Sequence, residues 1–377
     1  VSKADTSQLP RPRTIFDQSL SVGVEEEFLL VDATTREVAP LAPEVLATKS
    51  DGRFDLQAEL TDFQVEIATP VCRSMAEVRS ELVAARGALG AMAAEHGTRL
   101  VATGTAVLGE VHPAPLTDDP RYRRMAVEYG RLIHDLTICG CHVHVGIPDE
   151  DAGVHISNHL RPWLPVLLAL SANSPFASGR DTGYASWRYL TWSPWPSAGA
   201  PPRFASAEEY HANTQLLQSS GAAMDAATIY WDIRLSANHP TVELRVCDVA
   251  ATVDEAVLIA ALTRAIAVMA LSSRVPALDV APHLLRAALW RAARDGIEGT
   301  NVNLATGELV QASTQLHALL TWARPALEAS GDFDLATAAV DRMLLDGSGA
   351  ERQRRAFRQR GELSDVVDLL IRQTASK

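Results

Sequence analysis

Val22-Gly-Val-Glu-Glu-Glu-Phe-Leu-Leu-Val31 reads as a β-strand, yet it carries three consecutive carboxylates. Side chains alternate between the two faces of a strand. Val24, Glu26, Phe28 and Leu30 therefore share one face. Gly23, Glu25, Glu27, Leu29 and Val31 share the other. Glu25 and Glu27 point the same way, about 7 Å apart along the strand. Two parallel carboxylates repel unless water solvates them or a cation sits between them. A solvated edge strand is one reading of this stretch alone. The other is a platform for Mg2+ or Mn2+, hard cations that prefer carboxylate oxygens.

Three further stretches bear on that choice. Residues 56–69 again look like strand, with Glu59 and Glu66 seven apart. One flat strand would put them on opposite faces, whereas a turn or bulge near Thr61-Asp62 lets both face one side. In Ile138-Cys-Gly-Cys-His-Val-His-Val-Gly-Ile147, His142 and His144 share a face with Gly140 and Gly146. Flanking glycines leave room above that face. Thr241-Val-Glu-Leu-Arg-Val-Cys-Asp248 places Glu243 and Arg245 on one face. Five carboxylates and two imidazoles gathered on one sheet face would be unstable without cations. Two or three divalent ions make the arrangement natural, and oxygen-rich ligation favours Mg2+ or Mn2+ over Zn2+. Such a cluster holds nucleotide phosphates and neutralises charge during phosphoryl transfer.

The rest of the chain frames these strands. Residues 1–20 are polar and proline-containing, which predicts a flexible arm, with one catalytic domain over 21–377. Ser74 and Glu77 form a capping-box signature before a helix that Gly97 ends. Residues 98–107 read as strand, 121–136, 149–160 and 162–172 as helix. Residues 173–205 are an irregular stretch rich in Gly, Pro and aromatics that includes Arg180 and Arg188. Long structured loops of this kind serve as lids or binding loops. A helix near 206–224 precedes strands at 228–236 and 241–248. Helices are expected at 253–273, 281–295, 313–329, 332–345 and 362–374, with a hairpin or irregular link at 299–311. Scattered, antiparallel-looking strands favour an α+β fold over alternating β-α-β.

Composition narrows the function class. The 377 residues are 47% hydrophobic and 21% charged, with net charge −12, which argues against a general nucleic-acid surface. No uninterrupted apolar run reaches the roughly 18 residues of a bilayer span. The first residues lack a signal peptide's apolar core, so a cytoplasmic protein is expected. Four cysteines without CxxC spacing fit a reduced compartment. There are 31 arginines against three lysines, so an anion site here uses guanidinium forks. Arg286, Arg291 and Arg294 surround Trp290, and Arg352, Arg354, Arg355, Arg358 and Arg360 make a second basic run, which reads either as a solvated helix face or as an anion site. A triphosphate and a substrate carboxylate are the anions such groups would bind.

Other catalytic templates fit badly. The chain has no GxxxxGK[ST] loop, no GxGxxG after a strand and no GxSxG elbow. His155 and His159 lie four apart, but position 156 is Ile, so HExxH is absent and the pair reads as a surface feature.

Several motifs occur together in order: Gly23-Val-Glu-Glu-Glu-Phe28, Cys139-Gly-Cys-His-Val-His-Val-Gly146, Leu170-Ser-Ala-Asn-Ser-Pro-Phe176, Gly179-Arg-Asp-Thr-Gly-Tyr-Ala-Ser-Trp-Arg188 and Leu289-Trp-Arg-Ala-Ala-Arg-Asp-Gly296. In these the chain resembles the type 2 glutamate–cysteine ligases, or carboxylate–amine ligases, from about residue 20 to 370. The resemblance implies the catalytic fold shared with glutamine synthetase and guanidino kinases: a curved, mainly antiparallel sheet flanked by helices, with ATP and Mg2+ or Mn2+ on its concave face. It implies activation of an amino-acid-like carboxylate, usually the γ-carboxylate of glutamate, as an acyl phosphate that an amine then attacks, usually that of cysteine. By position, Glu25, Glu27, Glu66, His144 and Glu243 resemble the metal shell. Glu59, His142 and Arg294 are assigned to the nucleotide, and Arg188, Arg245 and Arg291 to catalytic anion binding. Many relatives carry Gly-Thr-His-Pro-Phe where this chain has Gly104-Thr-Ala-Val-Leu108, a change expected to reshape the substrate pocket. The alternatives to a ligase are a metal-dependent γ-glutamyl amide hydrolase and a nucleotide or amino-acid binding protein without turnover. A homodimer through an exposed sheet edge or helix face is compatible with the sequence.

Overall fold

A computed structural model describes residues 20–48, 52–109, 111–273 and 275–376. The arm expected over residues 1–20 lies outside the described residues except for Leu20.

The opening stretch is the central strand of the molecule. In chain order the main sheet comprises β1 (Val22–Asp32), β2 (Asp55–Ala58), β3 (Gln64–Ala68), β4 (Thr98–Val101) and β5 (Gly140–Gly146). Two-residue strands β6 (Phe176–Ala177) and β7 (Arg180–Asp181) pair with each other. Then come β8 (Ile233–Leu235) and β9 (Thr241–Asp248), which complete the main sheet, and the separate hairpin β10 (Thr300–Val302) and β11 (Leu309–Gln311). The main sheet runs β2-β3-β1-β5-β9-β8, with β4 pairing the far end of β1. Every pairing in it is antiparallel. The expected α+β class with an antiparallel sheet is the observed one.

One face of this sheet is apolar and covered. Val24, Phe28 and Leu30 of β1 are buried, and full burial of side chains of this size is worth about 1.5–3 kcal/mol each. The helices Met75–Glu95 and Val253–Ser272 pack there. The first presents Met75, Val78, Leu82, Ala85, Leu89 and Met92 inward at helical spacing. Ser74 Oγ accepts from Glu77 N at 3.2 Å, but Glu77 Oε2 accepts from Arg73 N rather than from Ser74. Ser74 therefore caps the helix without the reciprocal bond of a full box. That reciprocal box occurs instead between Thr252 and Glu255, opening Val253–Ser272.

Glu26 faces this covered side, so the middle carboxylate of the triplet is not part of the open face. It is fully buried and meets the Arg86 guanidinium, Nε–Oε2 2.8 Å and Nη2–Oε1 2.6 Å. Arg86 Nη2 also donates to Ala250 O at 2.9 Å. The bidentate geometry and extra carbonyl partner satisfy the pair where water cannot.

Several boundaries differ from expectation. Val253–Ser272 is, among the described residues, the one helix long and apolar enough to cross a membrane. It is instead buried against the sheet, and Asp254, Glu255 and Arg264 punctuate it. The strand expected to reach residue 107 stops at Val101. The helix expected over 121–136 breaks at Gly130, whose φ of 56° ends the segment Pro120–Tyr129 before a short turn at Arg131–His134. The strand expected at 228–236 is confined to β8, preceded by a 3-10 turn at Ala226–Thr228. The loop 173–205 contains a helix, Trp187–Trp192. A further helix, Gly349–Arg360, carries the second basic run. His155 and His159 are not a surface pair. His159 is buried, and the rings hydrogen-bond to the carbonyls of Ala270, His155 and Val275. Helix Glu150–Leu160 turns them toward Val253–Ser272, which periodicity with two polar residues did not reveal.

Candidate active site

The second face of the sheet is open and acidic. Strand registers bring the carboxylates and imidazoles together: Glu25 opposite His142, Glu27 opposite Glu66, and His144 opposite Glu243. Residues 59–63 turn between β2 and β3, so Glu59 joins Glu66 on one side. A cavity of about 380 Å³ lies over this face. It is lined by Glu25, Glu27, Glu59, Glu66, His142, His144, Arg188, Glu243 and Arg245 among others.

The charges fall into two groups. Ligand atoms of Glu25, His144 and Glu243 lie within 4.8 Å of one another, and so do those of Glu27, Glu59 and Glu66. Burial alone would raise the Glu25 carboxyl, but the hydrogen bonds from His142 and His144 hold it well below the usual range. His142 Nδ1 is 3.3 Å from Glu25 Oε2, and His144 Nε2 is 3.2 Å from Glu25 Oε1. His144 Nδ1 bonds Thr241 Oγ1 at 2.8 Å, fixing the ring from its other nitrogen. Glu243 is buried yet stays below the usual range, because the Arg245 and Arg234 guanidiniums flank it.

The second group is strained in the opposite sense. Burial raises Glu66 well above its ordinary value, and the charges of Glu59, Glu25 and Glu27 raise it further. Burial likewise raises Glu27, which accepts from Gly140 N at 2.6 Å. Three carboxylates at this separation either hold protons or hold a cation. The donor set suits a hard divalent ion. The first group, with one imidazole and two carboxylates, suits Mg2+ or Mn2+ as well.

Arg188 crosses the open face because of two local features. Helix Trp187–Trp192 starts from Ser186, whose hydroxyl donates to Asp248 Oδ1 at 2.8 Å. Ser174 Oγ donates to Asp248 Oδ2 at 2.7 Å and accepts from Arg188 N at 3.1 Å. This buried anchor fixes the start of the side chain. Its end passes over Gly140, where a Cβ would lie 2.4 Å from Arg188 Nη2. The guanidinium reaches the carbonyls of Val246 and Arg245, both at 3.4 Å. A bulge between Cys141/Val143 of β5 and Leu244/Cys247 of β9 turns that part of β9. Nearby, Asp232 is buried with Oδ2 lacking a hydrogen-bond partner, and burial pushes its carboxyl up to about 7.

The structure does not bring every expected residue here. Arg291 and Arg294 do not line the cavity. Both sit on the helix Pro282–Asp295 and pair with Asp295, at 3.1 and 2.9 Å, and Arg294 is exposed. Their helix packs on Leu164–Ser171 rather than on the acidic face. The segment Gly104–Leu108 does not line the cavity either. Ala106 and Val107 are buried in the core, and Gly104 packs behind the site, where a Cβ would meet Asp248 and Ser174 at 2.9 Å.

Sequence reasoning missed Arg234, Arg121, Tyr122, Trp192 and Tyr230, all of which line the cavity. Arg234 had a signal. Folding the chain at Asn238-His-Pro240 sets it directly opposite Glu243, an opposite-charge cross-strand pair. Trp192 belongs to the aromatic-rich stretch 173–205 read as a lid or binding loop, whereas Tyr122 and Tyr230 come from separate segments and gave no signal.

The chain matches the model of glutamate–cysteine ligase family 2 (GCS2) over residues 21–369. It is 48% identical over 350 residues to a protein of Mycolicibacterium vanbaalenii named "Putative glutamate--cysteine ligase 2-2", covering 92% of this chain and 96% of that one. A Saccharopolyspora erythraea protein named "Putative glutamate--cysteine ligase 2-1" is 46% identical over 356 residues, covering 94% and 95%. Among solved structures, the fold is similar to that of a bifunctional glutathione synthetase from Pasteurella multocida (TM-score 0.66, 15% identity). That match covers 96% of this chain but spans about half of the larger enzyme, 53%. A glutamate–cysteine ligase from Francisella tularensis, solved with AMP, gives TM-score 0.65 at 14% identity and covers 95% and 89% of the two chains. At those identities the structures establish the fold, and the sequence matches establish the family. The chain belongs to glutamate–cysteine ligase family 2 and is an enzyme of the glutamate–cysteine ligase type.

Proposed function

We propose that this enzyme joins an amino-acid-like carboxylate to an amine at the expense of ATP, through an acyl phosphate. The observation that carries the reading is the pair of cation-competent groups, Glu25/His144/Glu243 and Glu27/Glu59/Glu66, side by side in one cavity with Arg188. These two groups would hold divalent ions, which when bound neutralise phosphate charge.

A free carboxylate is a poor electrophile, because attack on it would have to expel oxide. Transfer of the γ-phosphoryl group forms a carboxyl O–P bond and releases ADP. The amine nitrogen then bonds to the acyl carbon, the C–O bond to phosphate breaks, and phosphate leaves while the nitrogen loses its proton. Arg188 has no carboxylate among its hydrogen-bond partners, so its charge is available to the transferring phosphoryl group. Arg245 is tied to Glu243 and orients that carboxylate. His142 and His144 hold Glu25 ionised. The turn and helix at residues 187–195 wall the cavity with Trp192 and Trp195 and limit water, which would hydrolyse the acyl phosphate. An ATP-consuming reaction and a net charge of −12 fit a cytoplasmic enzyme acting on small molecules.

The test is ADP release with Mg2+, ATP and glutamate, with and without an amine such as cysteine, followed by mass spectrometry of the product. ADP release that requires both carboxylate and amine is expected. Release indifferent to either substrate would sink the reading. Hydrolysis of a γ-glutamyl amide without ATP would make it a hydrolase, and tight ATP binding with no product under any pair would make it a binding protein.

A further inference from the structure

Asp248, at the end of β9, is fully buried and does not line the cavity. Burial raises its carboxyl, and the Arg188 charge is the largest influence pulling it back down. Neutral donors fill its oxygens: Asn173 N at 2.8 Å and Ser174 Oγ at 2.7 Å on Oδ2, and Ser186 Oγ at 2.8 Å on Oδ1. A buried carboxylate is costly even when its lone pairs are filled, and an apolar residue would occupy the same volume without that cost. The position is explained by what the two oxygens join.

They join two of the ordered motifs, Leu170–Phe176 and Gly179–Arg188. On one oxygen, Ser174 passes the contact on, because its Oγ accepts from Arg188 N at 3.1 Å. On the other, Ser186 caps the helix Trp187–Trp192 by accepting from Tyr189 N at 3.4 Å. Asp248 thus sets both the place and the direction of the turn from which the Arg188 side chain departs. That matters because the far end of Arg188 is held weakly. Its two carbonyl contacts are 3.4 Å long, and its Nε is buried without a hydrogen-bond partner. The guanidinium therefore takes its position from its root and from the gap over Gly140.

The anchor itself has no slack. Asn173 Nδ2 donates to Ala102 O and Val249 O, both at 3.0 Å, and Asn173 Oδ1 accepts from buried Gln353 Nε2 at 2.8 Å. A Cβ on Gly349 would lie 2.2 Å from Asn173 Oδ1, and one on Gly104 would lie 2.9 Å from Asp248 Cγ and from Ser174 Cβ. Arg354, from the second basic run, braces the approach to Ser186. It donates to both oxygens of Asp181, at 2.9 and 2.7 Å, and to Tyr184 O at 2.9 Å.

Resting on the ligase reading, we propose that Asp248 is a positioning residue for phosphoryl transfer: through Ser174 and Ser186 it fixes the Arg188 guanidinium over the cavity, without touching substrate.

The test is a double-mutant cycle between positions 248 and 188, read as ADP release with saturating Mg2+, ATP, glutamate and cysteine. Asp248→Asn keeps the shape and one acceptor oxygen. With that oxygen on Asn173 N and Ser174, it no longer accepts from Ser186. It is expected to lower kcat by about tenfold or more while KM for ATP and for glutamate stay within about twofold. In an Arg188→Ala background, where the slow residual rate is read over long incubations, Asp248→Asn is expected to cause no further loss, because its effect runs through Arg188. Should Asp248→Asn fail to fold, Ser174→Ala carries the same cycle, since it removes the link to Arg188 N and leaves the carboxylate in place. Multiplicative losses in the cycle, or wild-type kcat in the single variant, overturn the inference and leave the ligase reading standing. No ADP from the wild-type enzyme with any carboxylate and amine overturns both.

Discussion

Replacing Gly140 with alanine places a methyl carbon 2.4 Å from Arg188 Nη2, 3.0 Å from its Cζ and 3.2 Å from His142 Nε2. Ordinary non-bonded contact needs about 3.5 Å, so the guanidinium must retreat by roughly 1 Å. The backbone of Gly140 has no positive φ, so alanine itself fits the strand. Arg188 is only 5% exposed and its origin is fixed by Ser174 and Ser186. The displaced group therefore has little room, but it is the end of a flexible chain. The stability cost is expected at the low end of overpacking, about 1 kcal/mol. The catalytic cost is larger, since a 1 Å misplacement of a charge that stabilises phosphoryl transfer loses on the order of 100-fold in rate. ADP release under saturating substrates, alongside a thermal melt, separates the two. Gly87→Ala is the control. Gly87 is exposed in the helix Met75–Glu95 with no atom within 4 Å of the new methyl, so it should gain about 0.5–1 kcal/mol and leave turnover unchanged. A folded Gly140→Ala protein with wild-type kcat would refute the placement of Arg188 in the reaction.

Three other outcomes follow from the charges. Glu66 has a raised carboxyl, so its protonated form favours the fold at low pH and that contribution is lost as pH rises through the raised value. Glu66→Gln should accordingly melt higher than wild type in chelator near pH 8, by about 1–2 kcal/mol, and gain less from added Mn2+; equal Mn2+ shifts in both proteins would contradict the cation site. Asp232, at about 7 against an ordinary 3.8, also contributes stability at low pH that is lost as pH rises through 7. Asp232→Asn should flatten the stability profile between about pH 4 and 8, where wild type loses up to roughly 4 kcal/mol by linkage; urea melts at several pH values measure it. Glu26→Ala strands the Arg86 charge in the core and should cost about 3–5 kcal/mol, with a smaller loss when Arg86→Met accompanies it.

Alternation along single strands was readable from the residues alone. It put Glu25 with Glu27, His142 with His144, and Glu243 with Arg245, and it separated Glu26 from its neighbours. The antiparallel α+β class followed from strand spacing, and the ordered motifs carried the family. These are local properties, set within a few residues by backbone geometry. Other features depended on how distant segments meet. The turn near Thr61-Asp62 that brings Glu59 to the side of Glu66 was readable locally, but nothing local says that Glu27 lies opposite Glu66, because register is chosen by long-range pairing and burial. Arg291 and Arg294 had the right chemistry and a matching motif, but their helix packs on Leu164–Ser171 and pairs them with Asp295. Ala106 and Val107 were expected at the pocket and lie in the core. Conversely, Trp192, Tyr230 and Met125 share one wall although about 100 residues of chain separate the first from the last. Sequence settled which side chains each strand could offer to a face. Only the packed tertiary structure decided which offers met, because a site is a meeting of distant surfaces whose geometry is fixed by burying everything behind them.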